Sequence, residues 1–130
     1  MDTINEIKSK LNNYDNIKYI CDNTSITVKS QNKDGFDVGL YINPENKNTF
    51  TVYYNGWHEH FENKKEAIQA FMFGLTNRCR LKVEHRGVKA FRWILEYKKD
   101  GNWIKDSIVG SFINPFWKRK TIKLLQNDII

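Results

Sequence analysis

Apolar positions along this chain switch between helical and alternating spacing, and the switches delimit the elements. Ile4, Ile7, Leu11 and Tyr14 recur at helical spacing. They follow Thr3-Ile4-Asn5-Glu6, which reads as a capping box, so a first helix is predicted over residues 4–13. Its apolar stripe is narrow, as suits a helix laid against a sheet. Short β-prone runs follow at residues 17–21 and 26–28. The second leads to a turn at Lys33-Asp34-Gly35, where Asp-Gly suits the two positive-φ positions of a type I′ hairpin. Phe36, Val38, Leu40 and Ile42 then alternate with Asp37, Gly39 and Tyr41, the pattern of a half-buried strand. Residues 43–48 read as a loop. Phe50, Val52 and Tyr54 alternate next, Asn55-Gly56 forms a tight turn, and residues 57–61 pair back as a short strand.

Asn63 is a good N-cap for a second helix with Glu66 at its third position, a wide face of Ala67, Ile68, Phe71, Met72 and Leu75, and Asn77 as its end. Residues 79–85 alternate again, up to a turn at Arg86-Gly87. Phe91, Trp93, Leu95 and Tyr97 lie on one face of a long strand, with Arg92, Glu96 and Lys98 on the other. Lys99-Asp100-Gly101-Asn102 closes a third hairpin, residues 103–109 return, and Gly110 is a break. Asn114-Pro115 is predicted to open a last helix, as N-cap and first helical residue. Trp117, Thr121, Leu124 and Leu125 would face its sheet, and Lys118, Arg119, Lys120 and Lys123 would make the rest. The predicted order is helix, four or five strands, helix, three strands, helix. Consecutive hairpins favour an antiparallel sheet packed by helices, an α+β domain over residues 1–130.

The totals narrow the class. A chain of 130 residues with 40% hydrophobic and 14% aromatic residues can bury one core and is not disordered by composition. No apolar run approaches the ~20 residues of a membrane span. The N-terminal stretch lacks the apolar segment of a secretory signal. Cys21 and Cys79 read as two reduced, buried thiols in a cytoplasmic protein, although a secreted form with its signal removed fits the same residues.

Charge changes the picture more than composition does. Residues 1–66 hold 8 Lys/Arg and 10 Asp/Glu, a net of −2, whereas residues 67–130 hold 13 and 5, a net of +8. The whole excess lies in the second half, interleaved with aromatics, and points to an anionic partner. Arg80 and Lys82 share one side of their strand, Arg78 extends the row, and Arg92 joins it if Arg86-Gly87 turns a hairpin. Lys118, Arg119, Lys120 and Lys123 add the basic side of the last helix. Such cations can meet phosphates, and Tyr97, Trp103 or Trp117 can stack on bases if exposed. The alternative is a solvated Lys/Arg surface over an aromatic core. No RRM signature, zinc-finger spacing or clear helix-turn-helix is present.

Other chemistry is thinner. His58 and His60 share a strand face and are weak candidates for a metal, with His85 as a third nitrogen, but their spacing is not that of a zincin helix. The alternative has Trp57 and Phe61 entering the core while the histidines finish a hairpin. Cys79 stands between Arg78 and Arg80, yet a strand turns it toward Leu81 and Val83, as an apolar filler. Glu84 and Glu96 read as surface ion pairs, each worth little. No glycine-rich phosphate loop exists. The basic last helix could also lie on an anionic membrane, but docking on its own sheet is the better use of its apolar stripe.

Gly56-Trp57-His58-Glu59-His60-Phe61, Phe73-Gly74-Leu75, Arg78-Cys79-Arg80-Leu81, Arg92-Trp93 and Pro115-Phe116-Trp117 together resemble a pattern of small, uncharacterised bacterial proteins. The resemblance implies a bacterial, cytosolic source and brings no activity or site residues. The sequence therefore reads as a non-enzymatic binding protein without cofactors. Its partner would be nucleic acid or an acidic protein surface, met by Arg78, Arg80, Lys82, Arg92, Lys118, Arg119 and Lys123. A protein–protein module such as an inhibitor, immunity protein or chaperone is the alternative, and a small metal enzyme using His58 and His60 the second. Oligomeric state is not legible.

Overall fold

A computed structural model describes residues 2–110 and 117–130. Two helices and nine strands alternate as α1 (Thr3–Leu11), β1 (Tyr19–Cys21), β2 (Ser25–Val28), β3 (Val38–Ile42), β4 (Phe50–Tyr54), β5 (Trp57–Phe61), α2 (Lys64–Phe73), β6 (Cys79–Arg86), β7 (Lys89–Lys99), β8 (Asn102–Gly110) and β9 (Lys120–Leu125). The α+β class holds. Two antiparallel sheets replace the expected one: a meander β1-β2-β3-β4-β5 and a second sheet ordered β8-β7-β6-β9.

Each strand turns its apolar set to one side. In the first sheet Ile26, Leu40 and Val52 lie in one cross-strand row, and Val28, Val38, Tyr54 and Trp57 in the next. α2 lies over β3, β4 and β5 through Ala67, Ile68 and Phe71, with α1 beside it. Cys79, Leu81, Val83, Leu95 and Leu125 of the second sheet belong to the same buried cluster. The sheets are locked where β5 meets β7 and β8: the Trp57 indole N–H donates to Ser107 Oγ at 2.8 Å. Beside it, Gly56 leaves room for the Trp93 indole, which a Cβ there would approach to 2.2 Å.

The predicted turns fare unevenly. Asp100 and Gly101, at φ 52° and 81°, are the two positive-φ residues of the expected hairpin between β7 and β8. Asn55-Gly56 closes β4 onto β5, and Gly87-Val88 closes β6 onto β7. Asp34-Gly35 is not a type I′ turn, because neither residue has positive φ. Residues 29–37 form a longer loop, in which Asp37 Oδ1 accepts from the Ser30 N–H at 2.7 Å.

Three helix expectations are corrected. Asp2, not Thr3, caps α1, accepting from the Asn5 N–H at 2.8 Å; Thr3 is buried, and Glu6 reaches Lys64 of α2 at 3.0 Å instead of its own cap. α1 ends at Leu11 and α2 at Phe73, so Tyr14 and Asn77 lie beyond them. The last helix is absent from the described part of its predicted span: residues 120–125 are β9, paired with β6 so that Leu125 faces Leu81. Asn114 and Pro115, its predicted opening, lie outside the described residues. KTIKLL carries β-branched Thr121 and Ile122 and alternates as well as it spirals, and the free edge of β6 decides between the two readings.

Asn127, 1% exposed, follows β9 and bonds three groups. Its Oδ1 accepts from the Phe36 N–H at 3.0 Å, and its Nδ2 donates to Phe36 O and Gly74 O, each at 2.9 Å. Asn127→Ala strands all three, and losing partners for buried groups costs about 1–3 kcal/mol each before relaxation. Urea unfolding should show a loss of about 3 kcal/mol with the slope unchanged. A fall below about 1 kcal/mol would show that water replaces the amide without penalty.

Candidate functional site

The second sheet turns Cys79, Leu81, Val83 and Leu95 inward, so its other residues define an outer face. Arg80, Lys82 and Arg86 of β6, Arg92 and Lys98 of β7, Lys105 of β8 and Lys120 of β9 stand on that face by register. Glu84 and Glu96 stand among them. The strand from Arg80 to Arg86 alone spans ~20 Å. The expected basic residues of the last helix therefore meet the basic strand directly, since β9 lies beside β6 with Lys120 opposite Arg86.

The seven expected contact residues divide. Arg80, Lys82 and Arg92 share the outer face. Lys118 and Arg119 lie at its end, where Lys118 O accepts from the Arg86 guanidinium at 3.4 Å and Arg119 O from the Gly87 N–H at 3.2 Å. Lys123 does not join them: it pairs with inward-facing Val83 and so stands on the opposite side of β9. Arg78 lies apart too, beside α1 and α2, in a hollow that Lys10 and Tyr14 also line.

Two acids pin the face. Arg80 Nε donates to Glu96 Oε1 at 2.7 Å while its guanidinium lies 4.3 Å from the Trp103 ring centre. Glu84, 4% exposed, meets Arg92 at 3.1 Å and Lys120 at 3.3 Å. These are covered ion pairs and not the surface pairs expected from sequence. Lys82, Lys98 and Lys105 make no ion pair with any described residue. Between the two ion clusters runs the row Ile108, Ile94, Lys82 and Leu124, in which Lys82 separates two apolar pairs, Ile108 with Ile94 and Leu124 with Ile122 beside it. Ile122 is 51% and Leu124 48% exposed, because no described helix covers them. Sequence reasoning missed this row by assigning Leu124 to a helix face.

The aromatic residues are placed differently from one another; of the three expected to stack, Tyr97 is half-buried on the inner side of its strand, away from the basic face, unlike Trp103 and Trp117. Trp57 is buried, Trp93 is packed over Gly56, Trp103 lies under Arg80, and Trp117 is 73% exposed at the end of the sheet. The histidines finish the edge of the other sheet. His58 and His60 rings are 5.8 Å apart, and His60 Nδ1 is hydrogen-bonded to Thr51 Oγ1 at 2.7 Å. His85, the expected third nitrogen, belongs to β6 in the second sheet, and no group of three or more His, Cys, Asp or Glu among the described residues can hold a metal.

A wider hollow of about 850 Å3 lies at the starts of both helices, but Asp2 and Asn63 already occupy the two N-caps. No described helix is long and apolar enough to cross a membrane. No family model matches the chain, and neither a curated protein nor a solved structure matches it significantly.

Cys79 is not an activated nucleophile. Burial pushes its thiol up to about 12, against the opposing pull of Arg78, and the S–H donates to Phe73 O at 3.4 Å. Cys21 is free and only half-buried. Iodoacetamide at pH 8 should therefore label one thiol in the folded protein, Cys21, and both in urea. Labelling of Cys79 in the folded state at a rate like that of Cys21 would contradict its burial.

Proposed function

We propose that this is a non-enzymatic binding protein that engages an anionic partner, nucleic acid above all, with the outer face of its second sheet. The observation that carries the reading is the gathering of cations from four neighbouring strands on one open face, against two acids that already have partners. Lys82, Lys98 and Lys105 supply mobile positive charge for phosphates, each neutralisation releasing counterions. Arg80 and Arg92, held by Glu96 and Glu84, present guanidinium groups of fixed direction. Exposed Trp117 at the end of the face offers a ring for stacking on an unpaired base. The expected bacterial, cytoplasmic setting accords with such a partner.

The apolar pairs Ile108 with Ile94 and Ile122 with Leu124, on either side of Lys82, favour a second reading, a protein partner that sets apolar residues beside acidic ones. Salt separates the two. Fluorescence anisotropy with single-stranded and duplex oligonucleotides at 50 and 200 mM salt should show binding that weakens steeply. Lys82→Ala should lower the slope of log K against log salt by about 0.9 for duplex or about 0.7 for a single strand, without unfolding the chain. Absence of binding to DNA and RNA at low salt would refute the nucleic-acid reading. An affinity lost in Ile122→Asp and indifferent to salt would favour the protein partner.

A further inference from the structure

A second cleft opens between β5, α2 and the β7–β8 hairpin, on the side of the second sheet opposite the basic face. It holds about 280 Å3, and the half-buried rings of Phe61, Phe73 and Tyr97 line it over Tyr54 and Trp57, each only 1% exposed. Tyr54 and Trp57 stack with centres 4.6 Å apart. Two carboxylates, Glu59 and Asp106, also line it.

Neither carboxylate is there by default. Glu59 is the one Asp, Glu, Lys or Arg in the five strands of the first sheet. It ends the inward-facing row Ile26, Leu40, Val52 at the edge of that sheet, where it is solvent-exposed. Asp106 is the extra residue of a β-bulge: Leu95 pairs with Ser107 and Glu96 with Lys105, leaving Asp106 without a cross-strand partner. The bulge turns Asp106 and Ser107 toward the first sheet together, Ser107 to bond Trp57 and Asp106 to line the cleft. The proton affinity of Glu59 is raised by partial burial and then by Asp106, and both acids act on the buried Tyr54 hydroxyl. No described cation forms an ion pair with either. Two exposed acids thus line one cleft without an ion-pair partner among the described residues, in a chain of net charge +6.

We propose that this cleft binds a small organic ammonium ion, its alkyl groups against the aromatic rings and its charge between Glu59 and Asp106. Ring faces attract a desolvated cation, and two carboxylates at the same opening complete its neutralisation. A bare metal ion is the poorer fit, since two carboxylates among aromatic walls leave most of its coordination shell unfilled. The volume suits a small headgroup better than a drug-sized ligand.

Choline and its uncharged carbon isostere, 3,3-dimethyl-1-butanol, separate charge recognition from apolar filling. Titration of the full chain at constant ionic strength, followed by NMR shifts of the Trp57 indole N–H, should saturate with choline and show the isostere at least ~10-fold weaker. Glu59→Gln with Asp106→Asn should abolish that preference while leaving the melting temperature within a few degrees of the parent, since neither side chain holds a described hydrogen bond. Lys82→Ala should bind choline as the parent does, which separates this site from the basic face. Equal affinity for choline and the isostere, no saturation with choline, or choline binding unchanged in the double variant would each overturn the proposal.

Discussion

The side chain of Asn127 holds three stretches of backbone at one buried point. Phe36 lies 91 residues away in sequence and Gly74 lies 53 away. Around it the Gln126 N–H donates to Asp34 O at 2.8 Å, and the Ile129 N–H to Leu75 O at 2.9 Å. The loop before β3, the end of α2 and the segment after β9 are thereby fixed to one another. This contact has consequences for the basic face. Leu125 enters the core two residues before Asn127, and that position brings β9 alongside β6. Once β9 is paired there, Lys120, Ile122 and Leu124 point to the outer face, which no described helix covers.

What was legible in the sequence was local. The cap at Asn63, the face of α2 and the turns at Asn55-Gly56 and Asp100-Gly101 follow from residues within a few positions of one another. The alternation that set Arg80 and Lys82 on one side, away from Cys79, is equally local. The failures involve distant partners. Residues 120–125 satisfy helical and strand spacing alike, and the edge of β6, some 40 residues earlier, chooses the strand. Asp34-Gly35 has the composition of a tight turn, but its loop is bonded to Gln126 and Asn127 and runs a longer course. Glu84 looked like a surface acid because sequence does not show that Arg92 and Lys120 converge on it from two different strands.

The charge step between the chain halves has a structural meaning. It falls within α2, between a first sheet whose strands are nearly free of charge and a second whose outer face is basic. The two sheets share one buried cluster, so acidic and basic halves are not separate bodies in the core. The contrast is one of surfaces. On the outer face Glu84 and Glu96 fix arginines and a lysine, and Lys82, which has no ion pair among the described residues, stands between the apolar pairs Ile108–Ile94 and Leu124–Ile122.

The second sheet also separates its own charges by side. Strict alternation would send Asp106 and Ser107 to opposite faces. The bulge at Leu95 and Glu96 breaks that alternation, keeps Lys105 on the basic face beside Glu96, and turns the next two residues inward. With Lys105 outward, alternation alone would turn Asp106 inward and Ser107 outward, so what the bulge adds is the inward turn of Ser107. Asp106 stands with Glu59 at the exposed mouth of the aromatic cleft, next to the Trp57–Ser107 bond. One extra residue in β8 thus sets Ser107 beside Asp106 on the inner side, so that the bond to Trp57 that ties the two sheets stands next to the acid.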